Sequence, residues 1–316
     1  MTDQIIINNA QRENAKAFLR MHQTEGMFVI PNAWDAASAY IYEKAGFAAV
    51  ATTSAGIAYA LGYPDGEQVS LEDLLFVVKK ITGRVQVPVS VDFERGYAED
   101  PMQVKENARR LLAAGAVGFN LEDGQADGRL SPLELQIQKI QALCKLKKEL
   151  DLPFVINART CAYWLNIGSE EEKLAEAVRR GNAFAEAGAD CVFVPGAMNQ
   201  ETARALASGI HAPLNLILNG VYHDFAGLAK LGVRRLSTGS GPVRYLCEKT
   251  MKMAEKIKNG DVDAVLQSTF SYAKANEFFH LANGPEMQRL IEKAKEQGIY
   301  AELDMQKVPA SKMEHD

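Results

Sequence analysis

The sequence predicts an α/β fold, a (β/α)8 barrel of the TIM type, from three observations. First, one pattern recurs four times, a helix ending in Ala-Gly or Leu-Gly and then a short apolar strand. Its copies are EKAGFAAVATT (43–53), LAAGAVGFNLED (112–123), AEAGADCVFVPG (185–196) and AKLGVRRLSTG (229–239). Second, further apolar runs alternate with these copies: FVIP (28–31), VPVSVDF (88–93), LPFVINA (152–158) and APLNLIL (212–218). Third, the resulting strands recur every ~25–35 residues, which favours a barrel and leaves a doubly wound parallel sheet as the alternative.

The segments between the strands carry helix signals. Ser70 followed by Leu-Glu-Asp provides a serine cap and two acids, and predicts a helix over 70–80. Asp100-Pro101 precedes the amphipathic segment MQVKENARRLLAA, and residues 170–187 place apolar side chains at helical spacing between charges. Each predicted helix therefore links one parallel strand to the next.

Two helical segments are expected outside the barrel. Residues before 28 have the pattern of an added helix, and the chain from about Asn259 onward is helix-rich and polar, without a Pro/Ser linker ahead of it. We therefore expect a single domain over residues 1–316, with the barrel at about 25–258 and a helical extension at about 259–316.

Composition and charge narrow the class of protein. The chain is 47% hydrophobic with a net charge of −5, and neither half has a basic cluster, which argues against nucleic acid or an anionic membrane surface as partner. The N-terminus does not have the pattern of a signal peptide, and the charge-free stretch 47–63 is shorter than the ~20 residues of a spanning helix. Four widely spaced cysteines without a C-x-x-C pair indicate reduced thiols. We therefore predict a cytoplasmic protein that acts on a small molecule.

Polar side chains gather at the ends of the predicted strands, where barrel enzymes build their active sites. The third strand ends in Asp92 and Glu94, the fourth in Asn120 and Glu122, and the fifth in Arg159. Period-two alternation places Asp92 and Glu94 on one side. Three carboxylates this close repel one another unless a hard cation joins them. We therefore expect a metal site formed by Asp92, Glu94 and Glu122, the alternative being helix caps and solvated loop residues.

The ligand types indicate the metal. All the candidates are oxygen donors, and no cysteine–histidine spacing suggests zinc. Such ligands suit Mg²⁺, with Mn²⁺ as a second possibility, and leave positions for a 2-oxo carboxylate. Arg159 would grip a substrate carboxylate, and the backbone N–H groups around Ser54 and Ala55 would hold a second carboxylate or an enolate oxygen. Asp65 is a candidate base or leaving-group orienter, although the PDG sequence around it fits a plain turn equally well.

Six motifs in order resemble the isocitrate lyase/phosphoenolpyruvate mutase superfamily over roughly residues 25 to 255: PNAWDAASA, TTSAGIA, LGYPDG, VDFERGYAEDP, GFNLEDG and NART. The resemblance implies a barrel that is usually tetrameric and exchanges its last helix between paired subunits, with Mg²⁺ stabilising enolpyruvate-like intermediates. It also implies three sets of site residues. These are the metal ligands Asp92, Glu94 and Glu122; the substrate-binding residues Thr53, Ser54, Ala55, Asn120 and Arg159; and the catalytic residues Asp65, Glu122 and Arg159.

The sequence also departs from the family pattern. Isocitrate and methylisocitrate lyases carry a Lys-Arg-Cys-Gly-His stretch after the fourth strand, whose cysteine is the general acid. Here the loop is GQADGRLSP, which has no cysteine and is shorter than the gating loop of the mutases and phosphonopyruvate hydrolases. Glu94 replaces the more usual aspartate, and VFVPG stands where the lyases place a glutamate. These differences indicate a branch without the lyase cysteine.

The sequence therefore predicts a Mg²⁺-dependent lyase or mutase that makes or breaks a C–C or P–C bond beside a 2-oxo acid through an enolpyruvate-like intermediate. One alternative is a phosphonomutase or phosphonopyruvate hydrolase type of activity. Another is a protein of this fold that binds a 2-oxo acid or dicarboxylate without turning it over. The expected partners are that small molecule and further copies of the chain, as a dimer or tetramer, with no nucleic acid and no membrane.

Overall fold

The computed structural model describes residues 7–280, apart from the side chain of residue 264. The chain divides into two compact units, Met1–Ala254 and Glu255–Asp316. The first unit contains a parallel sheet of nine strands in the order β1-β9-β8-β7-β6-β5-β4-β3-β2. The strands are β1 (Phe28–Ile30), β2 (Asn32–Ala33), β3 (Val50–Thr52), β4 (Val89–Asp92), β5 (Gly118–Glu122), β6 (Val155–Arg159), β7 (Cys191–Val194), β8 (Leu214–Ile217) and β9 (Val233–Ser237).

The predicted barrel is confirmed, but its first strand is split. β1 pairs with β9, and β2 pairs with β3. The two pieces on either side of Pro31 therefore lie together between β9 and β3 and close the barrel. Proline has no N–H to donate to a ladder, and Pro31 lies where the chain changes partner. Eight strands were predicted, and the nine observed among residues 7–280 are those eight with one interruption.

Helices follow the strands around the barrel. In the first unit they are α1 (Asn9–Gln23), α2 (Ala36–Lys44), α3 (Ser54–Ala60), α4 (Leu71–Thr82), α5 (Pro101–Ala113), α6 (Leu133–Leu150), α7 (Glu170–Glu186), α8 (Gln200–Gly209) and α9 (Phe225–Lys230). α10 (Gly241–Lys258) runs across the boundary, and the described part of the second unit holds α11 (Asp263–Leu266) and α12 (Tyr272–Phe279). The part of the expected extension beyond residue 280 lies outside the described residues. No helix within 7–280 has the length and apolar character to cross a membrane.

The predicted helix starts are confirmed by their caps. Ser70 accepts the N–H of Asp73 at 3.1 Å, as a serine before an acidic first turn should. The Asp100 carboxylate accepts the N–H groups of Met102 and Gln103 at 2.9 and 2.8 Å. These caps fix where α4 and α5 begin, and therefore how far the loops that precede them extend.

Alternation along the strands separates an apolar exterior from a polar barrel interior. Asn120 of β5 points inward, where its side chain meets that of Asn157 of β6. Its neighbour Phe119 therefore faces outward, in an aromatic stack with ring centroids 5.5 Å from Phe93 and 5.3 Å from Phe154. The outer layer between sheet and helices supplies the apolar core, which leaves the inside of the barrel free for polar groups.

α1 closes the amino end of the barrel. The Gln11 amide donates to the carbonyl oxygens of Leu112 and Ala116 at 2.8 and 2.9 Å, just ahead of β5. Phe18 is fully buried against Gly118, where an added Cβ would lie 2.9 Å from its ring. Glycine at the start of β5 is therefore required for α1 to approach this closely.

Candidate active site

Two adjoining cavities open at the carboxyl ends of the barrel strands, with volumes of about 290 and 360 Å³. Asp92 lines the smaller cavity, and Glu94 and Glu122 line the larger one. The predicted metal ligands are thus at one end of the barrel but divided between two spaces. Four side chains line both cavities and join them into one site: Ser54, Asp65, Arg159 and Trp164.

The Asp92 carboxylate accepts three hydrogen bonds. Its Oδ2 accepts the N–H and the hydroxyl of Ser54 at 3.2 and 2.9 Å, and its Oδ1 accepts the Asn120 amide at 3.3 Å. Asn120 is held in turn by Asn157, whose Nδ2 donates to its Oδ1 at 2.7 Å. Donors from two residues, one just after β3 and one on β5, therefore fix this carboxylate in the lining of the smaller cavity, and β6 holds the second donor in place.

Glu94 occupies an unusual backbone conformation. β4 ends at Asp92, and Glu94 has φ of 48°, in the left-handed region that non-glycine residues rarely adopt. The strand-alternation argument for Glu94 was therefore wrong, because the residue lies in a turn beyond the strand. Burial, followed by the charges of Asp92 and Asp65, raises the pKa of Glu94 to about 9.

Glu122 and Arg159 form an ion pair across the rim. They are paired residues in the β5–β6 register, and Arg159 Nη1 lies 2.8 Å from Glu122 Oε2. Burial raises the pKa of Glu122 to about 7, with the Arg159 charge opposing that rise. The guanidinium carbon lies 5.5 Å from the Trp164 ring and 5.7 Å from the Phe193 ring. These two aromatic faces hold the arginine side chain at the edge of both cavities.

Asp65 reaches the site from an exposed loop between α3 and α4. It lines both cavities, and burial and the Asp92 charge raise its pKa while a hydrogen bond from Ser54 opposes the rise. Thr53 caps α3 by accepting the Gly56 N–H at 3.4 Å, and it lines the smaller cavity together with Ala55. All the residues predicted from the sequence therefore lie around one pair of cavities.

The structure adds residues that the sequence analysis missed. Tyr59, Trp164, Phe193 and Arg244 also line the smaller cavity. Trp164 had a weak signal, since it is one of two tryptophans and lies five residues beyond Arg159. The other three lie on α3, β7 and α10, and nothing local in the sequence places them beside Arg159.

The acids suit a hard cation. Within residues 7–280, no three His, Cys, Asp or Glu side chains form a ready-made metal-binding group. However, burial and, after it, the charge of Asp92 raise the pKa values of Glu94 and Asp65, so a cation would stabilise both carboxylates. Mg²⁺ is commonly held by one or two carboxylates and several waters, so Asp92 with Glu94 or Glu122 acting through water provides a sufficient donor set.

Comparison with known proteins places this geometry in a family. The family model described as phosphoenolpyruvate phosphomutase matches residues 18–258. An uncharacterised protein of Mycobacterium tuberculosis is 34% identical over 246 residues, covering 78% of this chain and 90% of that protein. The 2-methylisocitrate lyase of Halalkalibacterium halodurans is 29% identical over 240 residues, covering 73% of each.

Solved structures agree with this assignment. A protein of Burkholderia cenocepacia described as a lyase/mutase has a TM-score of 0.81 at 29% identity, covering 87% of this chain and 99% of that one. A phosphonopyruvate hydrolase solved with oxalate and Mg²⁺ has a TM-score of 0.76 at 23% identity, covering 89% and 98%, and shares the fold. The relatives are lyases and mutases, and this protein is an enzyme of that type. The chain belongs to the phosphoenolpyruvate mutase/isocitrate lyase superfamily.

Proposed function

We propose that this protein is a Mg²⁺-dependent lyase or mutase that makes or breaks a C–C or P–C bond beside a 2-oxo acid. The observation that carries the proposal is that Arg159 and the acids Asp92, Glu94 and Glu122 line one pair of adjoining cavities, with Arg159 paired to Glu122. A guanidinium and several carboxylates around the same cavities suit a small anion that also contacts a metal ion. A 2-oxo acid or dicarboxylate has this form.

Each side chain has a role in the proposal. When bound, Mg²⁺ would supply a Lewis acid that stabilises negative charge on the substrate oxygens. Arg159 lines both cavities, which places its guanidinium where it can bind a substrate carboxylate. Asp65 can hold or move a proton, because burial and the charge of Asp92 raise its pKa and it lines both cavities.

The loop after β5 supports a branch without the lyase cysteine. Gln125 N–H donates to the Arg129 carbonyl at 2.8 Å, and Gly124 bridges Leu130, so the loop folds back on itself as a short hairpin. The nearest thiol is that of Cys161 on the β6 side, where it is buried against Gly124. Burial raises the pKa of this thiol well above its usual value, which makes it a poor proton donor. C–C cleavage by a cysteine acid is therefore disfavoured, and P–C chemistry remains within the proposal.

α10 supports a homo-oligomer. Within its portion in the first unit Val243 is buried, whereas Tyr245, Leu246, Met251 and Met253 are 40–61% exposed. Beside its first turns lies a cavity of about 950 Å³, lined by apolar residues of α2 such as Ile41 and Tyr42. A large apolar face next to a large apolar cavity suits exchange of this helix between two copies of the chain.

The four free cysteines suit a cytoplasmic location.

Calorimetric titration of Mg²⁺ into metal-free protein, with and without oxalate, tests the site. Oxalate, a flat dianion resembling an enolate, should bind tightly only with Mg²⁺, and the Asp92→Ala variant should lose both. Glu122→Gln should abolish Mg²⁺-dependent turnover of 2-oxo acids and phosphonates, while Glu134→Gln, an exposed acid on α6, should behave as wild type. If the protein binds oxalate but turns over no 2-oxo acid or phosphonate, the alternative of a binding protein without turnover would be supported. Absence of Mg²⁺ binding would overturn the proposal.

A further inference from the structure

Glu67 makes an unusual set of contacts two residues beyond Asp65. Its Oε1 accepts the N–H groups of Arg95 and Tyr97 at 2.9 and 3.2 Å. Its Oε2 accepts the Arg95 guanidinium at 2.7 Å. One carboxylate of the Asp65 loop therefore takes three hydrogen bonds from the turn that follows Glu94, two from the backbone and one from a charged side chain.

The backbone on both sides of this contact is strained. Glu67, Glu94 and Tyr97 have φ of 57°, 48° and 56°, in the left-handed region. Such a conformation of a non-glycine residue is energetically unfavourable and persists only when its surroundings impose it. Within residues 7–280 two other non-glycine residues have positive φ, Asp151 and Asn166. Strain is thus concentrated where the Asp65 loop meets the Glu94 turn.

The two sides of the contact differ in support. The turn side is held from beneath by buried groups: Asn107 Nδ2 donates to the Gly96 carbonyl at 3.0 Å, and Lys139 Nζ donates to the Arg95 and Ala98 carbonyls at 3.1 and 2.9 Å. The loop side, residues 61–68, is exposed except at Glu67, which is partly buried. The turn is therefore a fixed platform, and Glu67 is the point at which the exposed loop attaches to it.

We propose that Glu67 is a positioning residue that clamps the Asp65 loop to the Arg95–Tyr97 turn, so that Asp65 and Glu94 are set in place together. The inference deepens the proposed function and rests on it for the roles of Asp65 and Glu94. Glu67 hydrogen-bonds to Arg95 and Tyr97 but not to Asp65, Asp92 or Arg159. It therefore acts on the site by fixing the position of the loop that carries Asp65. A Glu67 variant should therefore lose the fixed position of Asp65 beside the two cavities, while Asp92 and Arg159 stay in place.

Hydrogen–deuterium exchange of the full-length protein tests the clamp without any substrate. In Glu67→Gln, we expect the hydrogen-bonded amides of residues 61–63, in the loop, and of Arg95 and Tyr97, in the turn, to exchange at least about tenfold faster, because a neutral amide oxygen cannot replace three charge-assisted bonds. Exchange in β5 and β6 should not change. Glu67→Asp, which keeps the charge on a shorter arm, should recover part of the protection. The matched control is Glu72→Gln, because Glu72 pairs with Arg110 in an exposed Glu–Arg ion pair nearby at 2.5 Å.

The same variants separate this inference from the proposed function. If wild type binds Mg²⁺ and oxalate, Glu67→Gln should lower kcat about tenfold or more, with a smaller change in the oxalate Kd, because Arg159 and Asp92 still bind the anion. Faster exchange confined to the loop and the turn, at residues 61–63, 95 and 97, supports the clamp even if wild type binds no Mg²⁺. Lack of Mg²⁺ binding would overturn only the proposed function. Unchanged exchange, or an equal rise along the whole chain, would overturn the clamp.

Discussion

The two ends of the barrel both bury charged groups but accommodate them differently. At the amino end, Arg235 is fully buried with its Nη2 3.4 Å from the Ser90 hydroxyl and its guanidinium 5.7 Å from the Phe18 ring. At the carboxyl end, Asp92 and Glu94 are nearly as buried but face cavities. The amino end is sealed by aromatic packing, whereas the carboxyl end leaves its charges open to a ligand.

This difference indicates that the buried polar groups at the amino end contribute to stability, whereas those at the carboxyl end are available for ligand binding and catalysis. His22, beside Phe18, is neutral at physiological pH because burial lowers its pKa to about 3. Glu94 is also uncharged near neutral pH, since its pKa is raised to about 9, but a cation in the adjoining cavity would restore its charge. Changes at the amino end should therefore alter unfolding with little effect on ligands, whereas changes at the carboxyl end should alter ligand binding and, where they remove a buried carboxylate, increase stability.

The largest expected effect is the loss of packing at the amino end. Phe18→Ala removes a fully buried ring that contacts His22 and Phe28, and should lower the free energy of unfolding by about 3–5 kcal/mol. Phe76→Ala on α4, where the side chain is 61% exposed, is the control and should change stability by less than about 0.5 kcal/mol. Urea denaturation measures both. A weakened oxalate Kd in Phe18→Ala under folded conditions would show that the two ends are not independent.

A second prediction concerns pH at the amino end. The pKa of His22 is about 3 in the folded protein and near 6.5 when unfolded, so the unfolded chain binds the extra proton between these values. Stability should therefore be full above pH 6.5 and fall as the pH drops, by about 2 kcal/mol at pH 5. His22→Gln should flatten this slope, and His211→Gln, at an exposed histidine, should not. Denaturation midpoints from pH 4.5 to 7.5 measure it. Equal slopes in wild type and His22→Gln would contradict the assignment.

Much of the fold could be predicted because its signals are local. The caps at Ser70 and Asp100 and the Ala-Gly helix ends depend on neighbouring residues, and the structure confirms them. The interruption at Pro31 depends instead on which strand each half pairs with, which is a property of the closed sheet. Local sequence patterns therefore determine the helices and strands, whereas closure of the sheet determines where a strand is interrupted.

The sequence predicted which residues line the site better than it predicted how they are arranged. The motif match brought Asp65, Asp92 and Arg159 to one end of the barrel, where the structure has them. It did not reveal that Glu94 lies beyond the end of β4 in a left-handed turn, because strand alternation assumes that the strand continues. Nor did it identify Trp164, whose contact with Arg159 depends on how the loop after β6 folds. These features arise from tertiary contacts that no local pattern encodes.

The stability of the carboxyl end should have the opposite pH dependence. The folded protein holds a proton on Glu94 up to pH about 9, whereas the unfolded chain releases it near 4.5, so wild-type stability should fall as pH rises between these values. Glu94→Gln cannot ionise, so its stability relative to wild type should rise by about 2 kcal/mol as the pH increases from 6 to 7.5. Mg²⁺ should raise the melting temperature of wild type more than that of the variant, because it relieves a repulsion that the variant lacks. Thermal unfolding across pH, with and without Mg²⁺, measures both effects. A variant less stable than wild type at pH 7.5 would mean that the Glu94 carboxylate is held by attraction, and the contrast between the two ends would then lie in packing alone.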